Sequence, residues 1–166
     1  MTLQDAEIHE LEMLAKHEEA IGDLYDAYAT AFPDQGDFWS TLANEERGHA
    51  AWIRMMYSKV EDGVIEIGEG RFNAKAIETS LGYVKRWITD AQHSAVDLQT
   101  ALSIALDIEN ALIERSFYKV YDTDNETLRQ VFNALVEGCR QHRARIVESL
   151  DKVKRGDFPP PEVPIG

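Results

Sequence analysis

The chain has 166 residues, 44% of them apolar, and thirty acidic against seventeen basic residues give it a net charge of −13. That length and composition suit a single domain closing one core, while the negative charge repels nucleic-acid phosphates and anionic lipid headgroups and makes both poor partners. The single cysteine, Cys139, rules out an internal disulfide and a four-cysteine metal knuckle and fits a reducing compartment.

The first ten residues, MTLQDAEIHE, lack a basic start and an apolar stretch behind it. No apolar run approaches the ~18 residues of a membrane span, so a cytoplasmic protein is expected. An acidic surface also concentrates cations such as ferrous iron, although solubility alone accounts for the charge equally well.

Residues 3 to 32 form the first expected helix, ended by Pro33, which has no N–H to continue it. Asp37 is placed to cap a second helix running to about Lys59. A breaker-rich stretch from Glu61 to Asn73 follows. Residues 74 to 91 then carry Ile77, Leu81, Val84 and Ile88 at spacings of four, three and four, the pattern of a shorter amphipathic helix. The next long helix is expected over about 94 to 121. After the turn DTDN, Thr123 or Asp124 caps a last helix that runs to about Arg155 and stops at Gly156. Two short turns and one long crossover are the connectivity of a ferritin-like four-helix bundle over residues 1–156, followed by a Pro-rich tail over 157–166.

Positions that alternate by three and four share one helix face, and in a bundle that face looks at the other helices. On the first helix the stripe is Leu11, Leu14, Glu18, Ile21, Tyr25, Tyr28 and Phe32; on the second, Trp39, Leu42, Glu46, His49, Ile53, Met56 and Val60. The third gives Leu98, Leu102, Ala105, Glu109, Leu112 and Ser116, and the fourth Leu128, Phe132, Leu135, Cys139, His142, Ile146, Ser149 and Val153. Each seam is interrupted by polar groups at one level only. Counted from the turns at ~1.5 Å per residue, those levels coincide. His9, His17 and His93 fall off the stripes and read as solvated, and Glu10, Glu12, Glu19, Glu45 and Glu114 read as outer-face charges.

Three ionised carboxylates in one apolar core repel one another and lose hydration worth several kcal/mol each. A shared cation is the compensation expected, and divalent iron or manganese suits carboxylate oxygen and imidazole nitrogen. Tyr25, on the same stripe as Glu18, reads either as simple core or as a hydrogen-bond partner of a metal-binding glutamate.

These residues resemble the rubrerythrin branch of the ferritin-like superfamily. LANEERGHA, Leu42 to Ala50, is similar to that family's Glu-x-x-His helix. HEEAIGDLY, His17 to Tyr25, resembles its first helix, with a metal glutamate seven residues before a tyrosine, and ALDIENALIERSFY, Ala105 to Tyr118, its third. The resemblance covers the four helices. It implies a di-iron oxidoreductase of peroxidase or ferroxidase type, with Glu18, Glu46, His49, Glu109 and His142 as ligands rather than as acid–base catalysts. It implies a small-molecule oxidant or ferrous iron as substrate, an external electron donor, and a homodimer.

The sixth position departs from the family. Three residues before His142 stands Cys139, where the family has a bridging carboxylate; Glu137 lies more than ~100° around the helix and cannot replace it. Without the family, Cys139 reads as a small buried filler. As a thiolate it could ligate iron or favour zinc, but beside a peroxide-generating site it would be open to oxidation. The rubredoxin-type cysteine pairs of full rubrerythrins are also missing. A second reading therefore stands beside the first: a non-catalytic bundle with a degenerate or structural metal site, serving as an interaction or storage-associated protein.

Overall fold

The computed structural model describes residues 3–63, 74–114 and 125–157. They are helical, as the sequence leads one to expect: α1 (Leu3–Ala31), α2 (Gly36–Glu61), α3 (Ala74–Gln92), α4 (Leu98–Glu114) and α5 (Glu126–Arg155). None of these helices is long and apolar enough to cross a membrane. The breaker stretch over 64–73, the end of the third stripe with Ser116, the DTDN turn up to position 124 and the tail beyond 157 lie outside the described residues.

Proline geometry makes the first turn. Phe32, pushed out of the helical region by the ring of Pro33, sits at φ −125° and ψ 74°, and a single 3₁₀ turn, Pro33–Gln35, reverses the chain. The helical conformation then resumes at Gly36, so Asp37 is not the cap of α2. The capping position belongs to Gln35, which makes no side-chain cap bond, and Asp37 instead places its charge in the first turn, where the positive end of the helix dipole favours it.

Two more helix starts differ from the sequence expectation. Ser94 takes a left-handed φ of 54°, which breaks the chain after α3. α4 therefore begins at Leu98 rather than near 94, with Asp97 Oδ1 accepting from the Thr100 N–H at 2.7 Å. The cap of α5 is Asn125 rather than Thr123 or Asp124: its Oδ1 accepts from the Leu128 N–H at 3.1 Å. At the far end Gly156 adopts φ 73°, the left-handed conformation that closes a helix.

α1 packs along both α2 and α3, and α5 packs along α4, while α2 meets α5 across the interior. All seven α2 stripe residues are buried, as are Leu128, Phe132, Leu135, Cys139, His142 and Ile146 of α5. Each fully buried aliphatic side chain contributes roughly 1.5–3 kcal/mol. Near the Pro33 turn the core is aromatic, with the Trp39 ring 5.6 Å from Tyr25 and 4.9 Å from Tyr28.

α1 has a second buried face that the stripe does not include. His17 is 1% exposed and its Nε2 lies 2.8 Å from Ser80 Oγ of α3, so the reading of His17 as solvated is overturned. Burial pushes its pKa down to about 4, against a smaller upward pull from Glu46. His9 and His93 are exposed.

Candidate metal centre

Glu18, Glu46 and Glu109 are completely excluded from solvent, and His49 and His142 are buried beside them. The carboxylates come from α1, α2 and α4 and the imidazoles from α2 and α5. The stripe arithmetic explains the meeting: Glu46 and His49, three apart, present both side chains from one face of α2, and the turn at Pro33 brings Glu18 to their level.

Glu46 is the centre of the arrangement. Its Oε2 accepts from His49 Nδ1 at 2.8 Å, and its Oε1 lies 2.8 Å from His142 Nδ1. Each imidazole also faces a second carboxylate: His49 Nδ1 is 3.5 Å from Glu18 Oε2, and His142 Nδ1 is 3.3 Å from Glu109 Oε1. The two rings lie nearly parallel, 5.3 Å apart with 27° between their planes. One donor atom each from Glu46, His49 and His142 lies within 4.8 Å of the others, so these three form a buried group that could hold a metal ion.

Partners outside the cluster orient it. The Tyr25 hydroxyl donates to Glu109 Oε1 at 2.8 Å. On the outer side of His142, Nε2 lies 2.9 Å from Glu45 Oε2, and Glu45 is itself paired with Arg145. Glu45 is thus no bystander on the outer face: one turn of α5 brings Arg145 and His142 to it together. Metal-binding histidines characteristically give their second ring nitrogen to a carboxylate in this way. His49 has a different outer neighbour. A Cβ on Gly138 would stand 2.5 Å from His49 Nε2, so only glycine at that position leaves room for the ring.

Burial opposes charge on both imidazoles, but the neighbouring carboxylates overcome it. Glu18 and Glu46 hold His49 up at about 10, and Glu109 and Glu46 do the same for His142. Burial and the Glu46 charge push Glu109 up to about 7, against the pull of His142 and Tyr25. In the metal-free protein, therefore, protons on the histidines supply the positive charge that the buried carboxylates need. Cys139 is fully buried, and burial together with the Glu109 charge drives its thiol well above the usual range, so it stays protonated.

Three carboxylates and two imidazoles make a donor set that could hold a divalent metal ion. Glu109 Oε2 is buried and finds no hydrogen-bond partner among the described residues, an acceptor left over for a cation. Comparison with protein-family models, with curated proteins and with solved structures gave no match.

Proposed function

We propose that this chain is a ferritin-like, rubrerythrin-type bundle whose buried cluster holds a pair of divalent metal ions, iron foremost, and that it works as an oxidoreductase on peroxide, dioxygen or ferrous iron. The observation carrying this reading is the Glu46 carboxylate lying between the Nδ1 atoms of His49 and His142, with Glu18 and Glu109 beyond them. Glu18, Glu46 and His49 would hold one ion, and Glu46, Glu109 and His142 the other. Iron bound there would supply one-electron redox chemistry, which no side chain of the cluster provides.

The protein's own part is to bind, orient and keep dry. Glu46 joins the two positions, Tyr25 fixes the Glu109 carboxylate, and Glu45 fixes the His142 ring. The apolar residues above and below exclude water, which strengthens each charge interaction. The carboxylate-rich donor set beside the buried Cys139 suits iron or manganese. The single cysteine provides no rubredoxin-type cysteine pair, which supports an external electron donor in this reading.

A second reading has its own support. The carboxylates and imidazoles already neutralise one another, and Cys139 stands where a fourth carboxylate would complete the set, so a bundle with a degenerate site would look the same. Metal counting separates the two. The protein is purified without chelator, its metals counted, then reloaded anaerobically with ferrous iron and exposed to oxygen while absorption is followed. About two ions per chain and a new near-ultraviolet band are expected; fewer than one ion and no band support the non-catalytic reading. Cys139→Glu should raise occupancy of the second position. If the native protein holds one ion and the variant gains none, the assignment of position 139 is wrong.

A further inference from the structure

Glu18, Glu46 and Glu109 are sealed from solvent, while the two buried imidazoles form part of the lining of an open cleft. Between α2 and α5 lies a cleft of ≈ 420 Å³ whose walls include Glu45, Gly48, His49, Trp52, Gly138 and His142. Two other clefts, one between α1 and the end of α3 and one between α3 and α4, include none of the five cluster residues.

Glycines open this cleft. In a helix interior glycine costs roughly 1 kcal/mol relative to alanine, so its presence there calls for a reason. At Gly138 the reason is His49 Nε2, which a Cβ would strike. At Gly48 it is of the opposite kind: a Cβ would meet nothing within 4 Å, so any larger side chain would grow into the empty cleft. Trp52 stands beside the His49 ring, 5.7 Å away, and stays 42% exposed as a side wall. Two carboxylates, Glu45 and Glu137, lie along the lining, and Glu45 already touches His142. A divalent cation that passes these two carboxylates would displace the imidazole protons and take over their charge beside the buried carboxylates.

We infer that the α2–α5 cleft is the port through which divalent cations reach the buried carboxylates, and that Gly48 keeps it open. This rests on the metal-binding reading above. A port changes rates and not affinities: a plug at Gly48 slows entry and exit by one factor and leaves Kd where it was.

Binding and chelator-driven release of Co²⁺ are timed by rapid mixing for the native protein, Gly48→Val, Gly48→Phe and a control, Gly82→Phe. Gly82 is an exposed helical position of α3 with equally open surroundings, and it does not line this cleft. Both Gly48 replacements raise helix propensity, and valine keeps the test alive if phenylalanine disturbs the fold. Gly48→Phe should slow uptake and release at least about tenfold, Gly48→Val less, with stoichiometry and Kd unchanged and Gly82→Phe at the native rate. Native rates in folded Gly48 variants overturn the port, as does a weakened Kd without matched slowing. A native protein that takes up no Co²⁺ overturns the metal reading itself, and does so before any variant is made.

Discussion

On α2 a glutamate and a histidine stand three residues apart, at 46 and 49; on α5 the same spacing holds a cysteine and a histidine, at 139 and 142. The two halves of the cluster are otherwise matched, each with an imidazole aimed at Glu46 and a further carboxylate behind it, Glu18 on one side and Glu109 on the other. They differ in what completes them. The half at His49 leans on helix shape, since Gly138 makes the room for its ring. The half at His142 leans on hydrogen bonds, from Tyr25 to Glu109 and from His142 to the Glu45–Arg145 pair. Where α5 lacks a carboxylate, the neighbours are held by more polar partners.

Removing the one group that both halves share should have the largest effect. Glu46→Ala leaves two buried imidazoles without the carboxylate that both pair with, and breaking a buried pair of this kind costs about 3–5 kcal/mol. Both ions should be lost together, while Glu18→Ala removes only the ion of the His49 half. Calorimetry and metal counts on the two variants read this directly. If Glu46→Ala still binds one ion with native affinity, the halves do not share a ligand and the comparison fails.

Acidity acts on both halves in the same sense. A histidine whose folded pKa lies above its ordinary 6.5 contributes stability that is full below 6.5 and is lost as pH climbs through about 10, and His49 and His142 both do so. Glu109, raised from 4.5 to about 7, likewise favours the fold while protonated and loses that contribution as pH rises through 7. His17, lowered to about 4, works the other way: its buried neutral ring favours the fold above 6.5, and that is lost as pH falls toward 4. The metal-free protein should therefore melt at progressively lower temperature from neutral pH to about 10. Metal-loaded protein, whose imidazoles have already given up their protons, should show a flatter profile, and its apparent affinity should rise with pH. A metal-free melting temperature that does not fall on the alkaline side would mean that the histidines carry no proton in the cluster.

The stripe residues were legible because spacing of three and four reports one face of a helix, and the polar interruptions stood out against apolar neighbours at Glu18, Glu46, Glu109 and His142. His17 was not legible, since α1 buries a second face against α3, and periodicity counted toward one face takes the other for surface. Glu45 and Gly138 stayed hidden for a related reason. Each matters through a residue on the facing helix, Arg145 and His142 for Glu45 and His49 for Gly138, and no pattern within one helix encodes that register. Asn125, one residue past the candidates, caps α5 in place of Asp124, as neighbouring residues of one polar cluster offer equivalent acceptors.

The smallest expected effect is the most selective. Glu45 is 42% exposed in its side chain, so its pairing with Arg145 should add less than about 1 kcal/mol to stability. Its contact with His142 Nε2 fixes which ring nitrogen turns inward, and loss of such an outer partner weakens metal binding by about 10–100-fold. Glu45→Ala should accordingly keep its melting temperature within a few degrees and lose affinity for the ion of the His142 half alone. Glu45→Gln, whose amide oxygen still accepts from the ring, should recover most of it. Among the described residues no carboxylate pairs with His49 Nε2, which faces Gly138, and the ion of that half should bind as before. Equal weakening of both ions by Glu45→Ala would mean that the stacked rings act as one unit, and that the shape-held and hydrogen-bonded halves are not separable.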